Sequence, residues 1–214
     1  MKRRSLWKGL VVTVAAAAVG GWLHLSATGS TSTAPPAKGP ASTSPAAPPP
    51  GEVLLQEGIK QGELKHYDLA ESIFRQVLEL EPGNKLAWYD LGVIAQQNNR
   101  SAEALAAYDS ALRTDPDYQP ALFNKAILLG PGDTDQAVSI LRRIVSADPK
   151  AATAHLHLGY GLARQGHRGE AEESFRTAVR TDPSLRQLVP EEFRDSVRTG
   201  PTPEPTASQA GAHR

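Results

Sequence analysis

The 214-residue chain has no cysteine and a single methionine, and only 6% of its residues are aromatic. Without cysteine there is no disulfide, no thiolate nucleophile and no Cys-ligated zinc or iron–sulfur centre, although this absence does not assign a redox compartment. Net charge is missing as well, with 23 Lys+Arg against 23 Asp+Glu. That balance conceals a split. Lys2, Arg3, Arg4 and Lys8 crowd the N-terminus, while residues 52–198 hold 17 Lys+Arg and 22 Asp+Glu, a net of −5. A phosphate-binding face is not expected on such a block, and nucleic acid leaves the list of partners.

Catalytic patterns are equally scarce. No phosphate-cradling glycine loop, nucleophile elbow or metal-ligand spacing occurs. His155 and His157 are the only close histidine pair, and two residues apart on a helix they point roughly 200° away from each other, so they cannot share a metal. His155 reads as a packed ring and His157 as a surface or groove group. Glu172-Glu173 and Glu191-Glu192 are neighbours along helices rather than facing carboxylates. The chain is not expected to be an enzyme, to hold a cofactor or metal, or to have a small-molecule substrate.

What is present divides the chain into segments. After the basic residues 1–8, expected to be cytoplasmic, Gly9 to Leu25 runs without a formal charge, and as a helix it spans roughly 25 Å, slightly less than a hydrocarbon core. Trp7 and Trp22 fall near the two interfaces, and the preceding positive charges leave the N-terminus inside. The leading reading is a single-pass transmembrane signal-anchor over 9–25, with everything beyond it extracytoplasmic. A cleaved secretory signal, giving a secreted protein, and a soluble protein with an apolar start are the alternatives. Residues 26–51 are Pro, Ala, Ser, Thr or Gly at every position but Lys38. That segment cannot bury enough surface to offset the entropy of ordering, so it reads as a disordered tether. Residues 199–214 have the same character and read as a disordered tail.

Residues 52–183 carry an internal repeat. An acidic residue followed by proline recurs as Glu81-Pro82, Asp115-Pro116, Asp148-Pro149 and Asp182-Pro183, and twelve residues before each proline stands an alanine: Ala70, Ala104, Ala137 and Ala171. Two independent positions therefore agree on a period of 33–34 residues, the signature of a helical array. Each alanine opens an amphipathic stripe, as in Ala70, Phe74, Val77, Leu78 and Ala171, Phe175, Ala178, Val179, that marks a second helix. A first helix precedes it, as in Trp88, Leu91, Gly92, Ala95. Gly58, Gly92, Ala126 and Gly159 allow close helix approach, and Asn98-Asn99, Gly130-Pro131-Gly132 and Gln165-Gly166 separate the paired helices. Four units follow, 52–84, 85–118, 119–151 and 152–183, each unable to cover its own apolar stripe and therefore stacked. Leu185, Leu188, Val189, Phe193 and Val197 place a C-terminal cap helix over 184–198, with Pro190 opening its second part.

Trp88-x-x-Leu91-Gly92 followed by Ala104, Tyr108, Ala111 and Pro116 resembles the tetratricopeptide repeat family. Glu57 and Lys125 depart from the pattern by standing where that family usually has Leu, and the third unit is one residue short in its turn. The resemblance implies an all-α, right-handed solenoid of four helical hairpins plus the cap helix. It also implies a concave groove lined by the first helices, in which the fifth and ninth positions of each repeat face a bound peptide. Those positions are Leu55 and Ile59, Tyr89 and Val93, Phe123 and Ile127, and Leu156 and Tyr160, all apolar or aromatic. Gln96, Asn124, His157 and Arg164 are candidate polar contacts. The expected function is a membrane-tethered, non-catalytic adaptor holding an apolar or amphipathic peptide segment of a protein partner. The alternative is a self-associating assembly component of an extracytoplasmic envelope complex.

Overall fold

A computed structural model describes residues 49–197. The expected N-terminal basic segment, the membrane anchor, the tether up to residue 48 and the tail all lie outside the described residues. Within them the chain forms α1 (Pro50–Glu63), α2 (Tyr67–Leu80), α3 (Lys85–Gln97), α4 (Ser101–Thr114), α5 (Gln119–Leu129), α6 (Thr134–Ala147), α7 (Ala152–Arg164) and α8 (Arg168–Thr181), followed by two short 3-10 helices, Pro183–Leu188 and Glu191–Phe193. No strand occurs among the described residues. Helices pair as hairpins, and each hairpin lays its second helix on the first helix of the next, which makes a four-unit solenoid.

The stripes read from the sequence form the core. Ala70, Phe74 and Val77 on α2, Ala104, Tyr108 and Ala111 on α4, and Ala171, Phe175 and Ala178 on α8 are all completely or almost completely buried. Each large ring sits over a glycine of its partner helix. A Cβ at Gly58, Gly92 or Gly159 would come within 2.7, 2.5 or 2.6 Å of Phe74, Tyr108 or Phe175 respectively. The third hairpin reaches the same fit differently, with Ala126 on α5 and the smaller Leu141 on α6, both buried. Small and large residues thus compensate within every unit, which keeps the hairpins alike in width.

The acidic-proline pairs have a local cause. After α4, α6 and α8, the carboxylates of Asp115, Asp148 and Asp182 accept the backbone N–H of Asp117 (3.1 Å), Lys150 (2.9 Å) and Ser184 (2.9 Å), so each closes a turn around its proline. Glu81 is one methylene longer and instead accepts from Asn84 Nδ2 at 2.8 Å, while Asn84 Oδ1 caps α3 through the N–H groups of Leu86 and Ala87. Trp88 donates its indole N–H to the Pro82 carbonyl at 2.8 Å, and His155 Nε2 lies 3.2 Å from the Pro149 carbonyl. His155 therefore performs the same pinning task as Trp88. Lys65 (φ 61°), Asn99 (φ 58°) and Gly166 (φ 79°) make three of the hairpin turns in the left-handed region, and the shortened third turn needs no such residue.

Two details differ from expectation, in the first helix and in the cap. The first helix starts at Pro50, two residues before the anticipated boundary, because proline suits the first helical position. Lys125, which stands where the resembled family usually has Leu, reaches Asp109 on α4 with its ammonium at 2.5 Å. The cap is not an α-helix but two 3-10 turns separated by Pro190, with Val189, Phe193 and Val197 buried. Phe193 packs 5.1 Å from Phe175, centroid to centroid, with the Arg168 guanidinium 5.0 Å from its own ring centre.

Candidate functional site

The first helices α1, α3, α5 and α7 supply the candidate groove residues. The structure sorts the eight apolar candidates into two kinds. Ile59, Tyr89, Val93, Phe123, Ile127 and Tyr160 are partly open to solvent. Leu55 and Leu156 are not: they are 6% and 2% exposed and belong to the core. Both were expected to face a ligand and are corrected to packing residues. The greasy strip is therefore interrupted at its two ends, and six side chains remain accessible.

The polar candidates interleave with these rings. Tyr108, on α4, sends its hydroxyl to Gln96 Oε1 at 2.7 Å, and Asn124 Nδ2 reaches the Tyr108 and Tyr89 hydroxyls at 3.4 and 3.3 Å. This network ties the second unit to the third. Tyr89 also meets Tyr118 edge-on with centroids 5.5 Å apart and lies 6.0 Å from the Tyr108 ring, so a tyrosine cluster stands where the second unit meets the third. Further along, the His157 ring lies between Phe123 (5.5 Å) and Tyr160 (5.8 Å), both edge-on. Burial pushes the imidazole pKa down to about 4, which leaves the ring neutral at pH 7. His157 is thus a half-buried partner of two aromatic rings. The Tyr160 hydroxyl donates to the Leu188 carbonyl of the cap. Arg164 is exposed and reaches across to the Gly130 carbonyl of the third turn.

One residue of this face was not picked out from the sequence. Asp90, on α3, is half-buried, and desolvation raises its carboxyl to about 7. Its charge bears on the phenols of Tyr89, Tyr108 and Tyr118, in each of which burial is the larger influence. The signal that could have found it is register: Gln56, Asp90, Asn124 and His157 recur at spacings of 34, 34 and 33, one polar residue per first helix. Among the described residues no group of three or more His, Asp or Glu is placed to hold a metal, and no helix is long and apolar enough to cross a membrane.

A solenoid of paired helices with close glycine–ring contacts and acidic-proline links defines a class of helical-repeat protein. A family model described as tetratricopeptide repeat matches residues 55–119 and 127–185, and the chain belongs to that family. Among curated proteins it is 31% identical over 84 residues to DnaJ homolog subfamily C member 3 of Rattus norvegicus, covering 39% of this chain and 17% of that protein. It is 43% identical over 54 residues to the peroxisomal targeting signal receptor of Kluyveromyces lactis, covering 25% and 10%. The chain therefore spans less than a fifth of the length of these relatives. Among solved structures, MamA superposes with a TM-score of 0.58 at 20% identity, covering 64% of this chain and 81% of that one. YrrB, described as a tetratricopeptide repeat protein with an unusual peptide-binding site, also gives 0.58 at 20% identity, covering 63% and 70%. These likenesses establish the fold.

Proposed function

We propose that this chain is a non-catalytic protein-interaction adaptor, exported and tethered to a membrane through Gly9–Leu25, that holds an amphipathic peptide segment of a partner along its inner face. The observation that carries the reading is the alternation, across three units, of partly open rings with hydrogen-bonding groups: Tyr89, Asn124, Phe123, His157, Tyr160. An extended segment needs both, apolar pockets for alternate side chains and polar groups for its backbone amides. With six accessible side chains each losing half of its exposure, the apolar gain is about 6 kcal/mol before association costs, which fits weak to moderate affinity. The curated relatives include a targeting-signal receptor, and a structural neighbour has a described peptide-binding site. Both agree with this use of the fold. Crosslinking in intact membranes, with wild type beside the Tyr89→Ser/Phe123→Ser double variant, tests the proposal. Capture lost in a double variant that still folds supports it, and undiminished capture refutes the groove assignment.

A second reading, self-association within an envelope assembly, rests on a different observation. Among the described residues the exposed large hydrophobics, Val53, Leu64, Leu69, Leu80 and Leu86, all fall in the first unit or at the start of the second. A stack end with apolar surface suits a copy of itself. Sedimentation of the full chain in mild detergent distinguishes the two, since a stable homo-oligomer favours assembly and a monomer favours the adaptor.

A further inference from the structure

The row Gln56, Asp90, Asn124, His157 places one polar side chain per unit, and its members have different surroundings. Asn124 reaches back to two hydroxyls of the preceding unit, those of Tyr89 and Tyr108. His157 packs against Phe123 of the unit before it. One repeat earlier, the positions of Tyr89 and Tyr108 are taken by Leu55 and Phe74, which carry no donor. Asp90 accordingly has no hydrogen bond or ion pair among the described residues, although an ionised carboxylate has room for several donors. The cations of the adjoining elements are engaged elsewhere. Lys60 of α1 pairs with Glu57 at 3.6 Å, Arg75 of α2 with Glu71, Lys85 of α3 with Asp115 at 2.6 Å, and Lys125 of α5 with Asp109 at 2.5 Å. Arg100, between α3 and α4, is shared by Glu71 and Glu103. Arg113 of α4 donates to the Ser110 hydroxyl at 2.8 Å.

The carboxylate is nevertheless reachable. No fully buried side-chain polar atom among the described residues lacks a partner, so the unpartnered Asp90 oxygens keep an opening to solvent. The tyrosine cluster beside it already accepts a cation at one place, with the Lys85 ammonium 5.1 Å from the centre of the Tyr118 ring. A partly desolvated carboxylate with phenol rings at its side and no counter-charge of its own is complementary to a positive group brought from outside.

We propose that Asp90 anchors a subsite for a basic side chain, lysine or arginine, carried by the peptide segment held on the inner face. This deepens the adaptor reading and rests on it. The bound segment then has a definite chemistry: apolar residues for the pockets around Tyr89 and Phe123, and one cation set at a fixed distance from them. Asn124, one unit on, takes a backbone amide and is indifferent to charge.

The test is selection of a displayed random decapeptide library on the full chain in mild detergent, using wild type, Asp90→Asn and Tyr89→Ser/Phe123→Ser. Wild type is expected to enrich peptides with Lys or Arg at a constant spacing from apolar residues. Asp90→Asn, which keeps the shape and removes the charge, is expected to retain the apolar pattern and lose the basic one. A synthesised wild-type-selected peptide should bind Asp90→Asn at least about tenfold more weakly. Replacing its basic residue with citrulline or acetyl-lysine should weaken binding to wild type and leave Asp90→Asn unaffected. Groove peptides that lack a basic residue, or that bind both proteins equally, overturn the Asp90 subsite while the groove stands. Enriched peptides indifferent to the Tyr89/Phe123 double variant, or no enrichment at all, overturn both.

Discussion

Asp90 should reduce the stability of the free protein at neutral and alkaline pH. Its carboxyl moves from an ordinary value of 3.8 to about 7 because folding withdraws it from water and supplies no donor. A carboxyl with a raised folded-state pKa contributes its full stability below the unfolded value, and that contribution is lost as pH rises through the folded value. At about 1.4 kcal/mol per pH unit, the difference between pH 3 and pH 8 is on the order of 4 kcal/mol. Asp90→Asn removes the ionisation and keeps the shape, so the variant should match wild type near pH 3 and exceed it by a few kcal/mol at pH 8. Urea unfolding of both proteins, followed by far-ultraviolet circular dichroism at five pH values between 3 and 8, reads the difference directly. Other titrating groups are common to the two proteins and cancel. A stability gap that is constant with pH would refute the reasoning, since it would mean that the carboxylate is as well solvated in the folded state as in the unfolded one. The same substitution is expected to abolish the preference for basic peptides, so stability and recognition should move in opposite directions.

The other predictions concern packing and protonation. His157 has its pKa lowered from 6.5 to about 4 by burial, so its contribution to stability is present above pH 6.5 and is lost as pH falls towards 4. Wild type should lose about 3 kcal/mol over that window, and His157→Phe should flatten this loss in the same unfolding assay. Gly159→Ala brings a Cβ to 2.6 Å from the Phe175 ring and should destabilise by about 1–3 kcal/mol. Adding Phe175→Leu should restore much of the loss, because Ala with Leu is the pair that the third unit already uses, and thermal melts of the single and double variants check it. Truncation after Ser184 removes the buried Val189, Phe193 and Val197. Their loss should cost several kcal/mol and lower Tm, and an unchanged melting temperature would show that the 3-10 turns do not cap the stack.

The all-helical repeat fold and the identity of most core residues were legible without coordinates. Ala70, Ala104, Ala137 and Ala171 keep step with the four prolines, and a helix that repeats its apolar stripe every 33–34 residues has one way to hide it. The Glu57 and Lys125 departures were legible as departures but not in outcome. Lys125 is harmless because Asp109 lies within its reach across the hairpin, a distance that no spacing along the chain reveals. The cap residues were identified correctly by their apolarity, whereas their backbone form was not, since short apolar runs around Pro190 satisfy a 3-10 turn as readily as an α-helix.

The candidate site divides along the same line. The resemblance to the tetratricopeptide repeat family implied that first helices carry the inner face, and the sequence supplied the apolar and aromatic residues that stand at its fifth and ninth positions. Only the tertiary structure decided that Leu55 and Leu156 turn into the core, that Asn124 bridges Tyr89 and Tyr108, and that Asp90 stands without a partner. Exposure and hydrogen bonding depend on what the neighbouring hairpin presents at the same height, and that is a property of two units in contact rather than of either unit's sequence.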